Sequence, residues 1–355
     1  MSLHAAVPGP GRTGIARGDH PHGIGSRAGF RWRNLIRIID RPDIDNKNDS
    51  HYQTESFPMS LPLRPLAAAA ALALLSMAGT AAADEQMLGY TPGVETLPQG
   101  ASEAYLWITH KEGKRRGDYA RDEIRAEFEH GFTDTFSASV YLNGYHYDYD
   151  CGLGCAGPLD DPEITGSRND TRFSGISVEA KKMLSSPFRD KLGVALYGEV
   201  TYDSVDSITG ETGQGWEVET KLILQKSLAD DQLQWVTNIE LEAESWRADG
   251  ESRTEYAVAP RLRTGVSYRF APNWFVGVEG WADVEALNPV DGSWEFDHWD
   301  AFAGPSLHYG AKRWWATASW VSQLAGSNES EGNHLGRHYA DHEGHEFRVK
   351  LGVNF

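Results

Sequence analysis

From residue 101 to the last residue the chain repeats one pattern: segments of about ten residues alternate between apolar and polar side chains, separated in turn by tight turns and longer polar stretches. A period of two is the period of a β-strand, whose successive side chains point to opposite faces. Tight turns are expected at 131–135, 185–190, 229–231, 271–273 and 310–312, and loops at 110–118, 148–170, 203–213, 247–252, 288–297 and 326–342. Five turns and six loops join 12 strands, with both chain ends on the short-turn side.

The alternation divides each strand into two faces. One carries Phe136, Val140 and Leu142, then Leu192, Leu196 and Val200, then Trp235, Ile239 and Leu241, then Leu262, Val266 and Tyr268. The other carries charge: Arg125, Glu127 and Glu129 on one strand, and Glu217, Glu219 and Lys221 on another. Further rows are Glu240, Glu242 and Glu244; Arg261, Arg263 and Arg269; Glu279, Asp283 and Glu285; and Arg348 with Lys350. A soluble sandwich could not bury such a face. At a bilayer midplane a charged side chain costs about 2–4 kcal/mol, so the apolar rows must face lipid and the charged rows a wet lumen. The fold class expected is all-β: a transmembrane, antiparallel, up-and-down β-barrel of about 12 strands with short periplasmic turns and long extracellular loops. Trp216, Trp235, Tyr268, Phe270, Trp274, Trp299 and Trp314, near strand ends, suit interfacial girdles.

The last nine residues alternate strictly, with Phe347, Val349, Leu351, Val353 and Phe355 on one face and Arg348, Lys350 and Asn354 on the other. A final strand closed by an aromatic residue resembles the terminal assembly signature of Gram-negative outer-membrane β-barrels, porin-like proteins among them, and most of all families of unknown function. The resemblance implies a place in the bacterial outer membrane, contact with its lipid, and insertion by the barrel assembly machinery; it implies no catalytic residues and no oligomeric state.

The start of the chain fits export. Met59 begins a short segment with Arg64, an apolar run over 66–78, and Ala81 to Ala83 before Asp84, which together read as a signal peptide over 59–83. Residues 1–58 have no strand or helix period and read as a disordered tail or an untranslated upstream extension; 84–100 are expected to be a periplasmic segment ahead of a barrel over 101–355. Removing residues 1–83 takes away nine basic and six acidic side chains and moves the net charge from −18 to −21. So acidic a chain is no partner for nucleic acid and favours cations.

Three smaller features bear on chemistry. Cys151 and Cys155, the only cysteines, lie in a Gly-rich loop, where export favours a disulfide over a two-thiol metal site. The last loop brings His334, His338, His342 and His345 together with acidic neighbours, a candidate metal-binding set. No cofactor is expected. The Ser following a histidine that an outer-membrane phospholipase would need is absent after His146 and His308, and Asp160, Asp161 and the Asp297–His298 pair only faintly resemble an omptin-like rim, so the chain is not expected to be an enzyme. The leading function is a porin-like channel or uptake protein for small cationic or hydrophobic solutes, its charged rows setting a transverse field. The alternative is a structural or adhesive surface barrel with a closed lumen and binding loops; a barrel-embedded hydrolase ranks below both.

Overall fold

A computed structural model describes residues 86–114, 117–155, 164–288, 294–327, 336–337, 339 and 342–355. The expected upstream extension, the signal peptide, His334 and His338 lie outside the described residues. Twelve strands follow in order: β1 (Ser102–Glu112), β2 (Asp118–Thr133), β3 (Phe136–Gly152), β4 (Gly166–Ser185), β5 (Gly193–Val205), β6 (Thr212–Leu228), β7 (Leu233–Ala248), β8 (Glu255–Ala271), β9 (Trp274–Asn288), β10 (Glu295–Gly310), β11 (Trp314–Gly326) and β12 (His345–Asn354). Each pairs antiparallel with its neighbours in sequence, and β1 pairs with β12 to close the barrel.

Closure removes every free strand edge, the condition for crossing a bilayer with strands. At the seam Glu103 lies opposite Asn354, and Ser102 and Phe355 exchange backbone hydrogen bonds of 3.0 and 2.9 Å. The aromatic residue that ends the chain is therefore part of the closure. The apolar rows form the outer belt: Val140, Leu142, Ile239, Leu262, Phe347 and Leu351 are all exposed. Trp216, Trp235, Tyr268, Phe270, Trp274, Trp299 and Trp314 are exposed as well. The charged rows point inward, where Glu127, Glu129, Glu240, Glu279 and Lys350 are buried.

The one large departure from expectation concerns the residues ahead of β1. The sequence pattern places 84–100 as a periplasmic segment outside the barrel, whereas residues 86–97 lie inside it, nearly all of them buried. A stretch with a proline at 92 and no period cannot join the sheet, but it can lie across the lumen if the strand side chains satisfy its backbone.

Candidate functional site: an occluded lumen

The N-terminal segment turns into β1 against Gly131 at the end of β2. The Gly100 N–H donates to the Gly131 carbonyl at 2.8 Å, and the Gly131 N–H donates to Ala101 at 3.0 Å. The Leu97 and Pro98 carbonyls lie so close to Gly131 that a Cβ there would collide with backbone. The segment is thus tied to the β2–β3 turn on the short-turn side, where the Thr96 hydroxyl also donates to the Asp134 carbonyl at 3.2 Å.

Inside, inward-facing polar side chains replace water around its backbone. The Glu279 carboxylate accepts the N–H groups of Gly89 and Tyr90, both at 2.8 Å, the Thr91 hydroxyl at 3.0 Å and the Ser319 hydroxyl at 2.9 Å. Gln225 accepts the Val94 N–H at 2.9 Å and donates to Glu95 at 2.7 Å. The Thr317 hydroxyl donates to the Gln86 carbonyl at 2.6 Å, and the Lys350 ammonium to the Gln86 side chain at 2.7 Å. Charge-assisted bonds of this kind are each worth about 1.5–3 kcal/mol, against about 1 kcal/mol for neutral ones.

Apolar contacts fix the register. Leu88 packs with Val94, Ala195, Ile223 and Val236. It sits over two glycines on adjacent strands: a Cβ at Gly265 would stand 2.5 Å from Leu88, and one at Gly277 would stand 2.7 Å from it. These glycines form a socket that any side chain would fill. Tyr90 lies between Arg348, 4.0 Å from its ring centroid, and Trp281 at 4.8 Å.

The charged rows around the segment are paired. Arg261 meets Asp283 at 3.0 Å and Glu242 at 3.4 Å, and Arg263 meets Glu240 at 2.9 Å. Lys221 meets Glu219 at 2.9 Å. Arg125 reaches Glu199 three strands away and stacks on Tyr141 at 4.2 Å and Trp107 at 5.1 Å. Tyr105 donates to Glu129, Tyr141 donates to Glu179, and Glu127 is buried beside them. The pairing is uneven. Glu217 lies opposite Glu244 and Glu219 opposite Glu242, and of these Glu217, Glu242 and Glu244 keep contact with solvent although they face inward.

On the loop side the mouth is narrowed by the β5–β6 connection, which folds inward. Tyr119 donates to the Ile208 carbonyl at 3.1 Å and Tyr149 to Thr209 at 3.0 Å; Tyr147 donates to Asp206, Arg121 to Ser207 and Arg168 to Gly210. The disulfide between Cys151 and Cys155 packs beneath these tyrosines with Ile164 and Val205. The segment before β12 is drawn in as well. Burial pushes the Glu343 carboxyl up, but Lys114 and Arg121 outweigh it and hold the pKa at about 2.

The histidines divide by strand parity. His345 shares the outward face of β12 with Phe347, bonds Ser322 at 2.9 Å and stacks on Trp320, so it does not join His342. His342 turns inward to His298 and Asp300 on β10, neither of which belongs to the histidine set of the last loop. Their signal was present in the alternation, because His298 and Asp300 fall on the charged face. His146 bonds Thr171 at 2.9 Å, and His308 bonds Thr317 at 2.7 Å.

The profile of a family of unknown function (DUF6662) matches residues 80–355. No curated protein sequence matches the chain. An outer membrane channel from Pseudomonas putida F1 has the same fold, with 13% identity and a TM-score of 0.52 over 74% of this chain and 98% of that one. The NanC porin is similar at 9% identity and a TM-score of 0.40, over 70% of this chain and 98% of the porin. The β domain of the Bordetella autotransporter BrkA is similar at 11% identity and a TM-score of 0.39, over 72% and 98%. The closed 12-strand barrel with its apolar belt is that of an outer-membrane protein.

Proposed function

The chain belongs to the DUF6662 family, whose function is unknown, and from its geometry we propose that it is an outer-membrane channel for small solutes, held shut by its own N-terminal segment. The observation that carries this reading is the way residues 86–97 occupy the lumen. A barrel that only needed filling could do so with strand side chains. Here the strands leave a socket at Gly265 and Gly277 and present Glu279, Gln225, Thr317 and Lys350 to a peptide that is joined to the wall at one end. Most of its polar anchors are hydrogen bonds that water can replace, so the segment can leave without unfolding the sheet.

The solutes proposed are small cations. Glu217, Glu242 and Glu244 give the accessible part of the lumen an acidic wall, and a low-dielectric channel focuses that field. The proposed chemistry is passage, with no catalytic step.

The test is single-channel recording of the chain from Asp84 onward in planar bilayers under a salt gradient, beside a variant lacking residues 86–97. The intact chain is expected to conduct rarely, and the shortened barrel to conduct steadily with cation preference. Silence from both, with the folded state verified by heat-modifiable mobility, would overturn the channel. A second reading, a closed barrel that binds through its loops, is favoured by the seating of 206–211 on Tyr119, Tyr147 and Tyr149. It predicts that same silence.

A further inference from the structure

We propose that His298, Asp300 and His342 form a binding site for a divalent transition metal of the zinc class, which clasps the segment before β12 to the wall of β10 at the loop-side end of the lumen. The three ligand atoms lie within 4.8 Å of one another. The two Nε2 atoms are 2.9 Å apart, and His342 Nε2 is 2.7 Å from an Asp300 oxygen. Ligands at about 2.0–2.2 Å from a zinc ion stand a little over 3 Å apart, so small side-chain rotations would admit one. Glu285, with an oxygen 3.8 Å from His298 Nε2, is within reach as a fourth ligand or a partner to bound water.

Two further observations point to a cation rather than to a packed polar cluster. The first is the shell behind the ligands. His298 Nδ1 lies 2.7 Å from Asp297, the arrangement in which Nδ1–H donates to a carboxylate and leaves Nε2 with its lone pair directed at a metal. The second is Asp300 itself. Its side chain is 0% exposed; one oxygen lies against His342 Nε2 at 2.7 Å, and the other, Oδ1, accepts no hydrogen bond of good geometry from a donor among the described residues. Directly opposite on β9 stands a second carboxylate, Asp283, which is already matched by Arg261. Two opposed carboxylates share one guanidinium and the His342 imidazole, and with that imidazole neutral, as a metal ligand must be, they leave negative charge for which a dication is the natural complement. Two imidazoles and a carboxylate select zinc, copper, nickel or iron over calcium and magnesium, which prefer oxygen alone.

The clasp has a mechanical consequence. The His342 ring also meets Phe302, which stacks on Trp281, which in turn packs on Tyr90 of the N-terminal segment. Metal would therefore stiffen a stack that ends on the occluding peptide.

The experiment is a zinc titration of the folded, untagged chain in detergent against a chromophoric competitor, with cobalt as a spectroscopic stand-in. One tight equivalent is expected, with cobalt bands of low-symmetry nitrogen and oxygen coordination. His342→Ala, which lies outside every strand and so spares the barrel, should weaken binding at least about tenfold, and Asp297→Asn should weaken it about 10–100-fold with every ligand in place. A His334→Ala/His338→Ala double variant should bind as the parent does. Absence of a saturable equivalent in the parent, or binding that survives His342→Ala and is lost with His334 and His338, would overturn the site as adventitious capture by the histidine-rich loop.

Discussion

The backbone N–H of Tyr90 donates to Glu279 at 2.8 Å, joining residues 189 positions apart in sequence and the occluding peptide to the barrel wall. Because the same carboxylate also takes Gly89, Thr91 and Ser319, it holds three consecutive residues of the peptide at once. Glu279→Gln keeps the size of the side chain but turns its NH2 toward groups that are themselves donors. The loss of one charged hydrogen-bond set, about 1.5–3 kcal/mol, should raise the fraction of time the lumen is open by roughly tenfold to a hundredfold. Open probability in bilayer recordings measures it, and an unchanged value would show that the peptide is held elsewhere.

The Leu88 socket makes a sharper test. Gly265→Ala places a methyl group 2.5 Å from Leu88 and 3.0 Å from the Glu279 Cβ on β9, and should expel the peptide while leaving the β8–β9 ladder in register. Leu88→Ala alone removes packing worth about 2–5 kcal/mol at a fully buried site and should also open the lumen. Combined, the two changes should restore much of the closure, because the smaller side chain makes room for the added methyl. Conductance across this double-mutant cycle reads the coupling directly, and simple additivity would mean that Leu88 does not occupy the socket.

The strands and their faces were legible because a barrel writes its alternation into nearly every residue from 102 to 354. One parity of β7 carries Trp235, Ile239 and Leu241, all exposed, and the other carries Val236, Asn238 and Glu240, all buried. Residues 86–97 were not legible as lumen filling because an unpaired peptide has no period. Their only signal was Met87, Leu88, Tyr90, Val94 and Leu97, five sizeable apolar side chains in a stretch expected to face water. The metal set was grouped by closeness in sequence, which put His345 with His342. Strand parity separates them and supplies His298, 44 residues earlier, through a register that no local spacing encodes.

The inward β5–β6 loop should depend on the tyrosine row beneath it. Tyr147→Phe and Tyr149→Phe remove the hydroxyls that bond Asp206 and Thr209 but keep the rings that pack on the disulfide. Each lost bond is worth about 1 kcal/mol, so the double variant should release the loop by roughly tenfold to thirtyfold without altering barrel stability. Protease cleavage between 206 and 211 on intact cells should rise accordingly. Equal protection in parent and variant would place the hold on Arg121 and Arg168 instead.

Two glutamates two residues apart on β7 should behave differently, and the difference separates structural from conducting charge. Glu240 is 3% exposed and lies within reach of Arg263, Arg261 and Lys221. Glu240→Gln leaves those cations short of a partner, and breaking a buried pair in this way costs about 3–5 kcal/mol. The expected result is a lower unfolding temperature by gel mobility. Glu242 also meets Arg261, which Asp283 holds at 3.0 Å, but it faces the same lumen in contact with solvent beside Glu244 and Glu217. Replacing Glu242, Glu244 and Glu217 together by Gln should leave the barrel folded and shift the reversal potential of the open channel toward zero selectivity. Were the triple variant as cation-selective as its parent, the acidic wall would not lie on the conducting path.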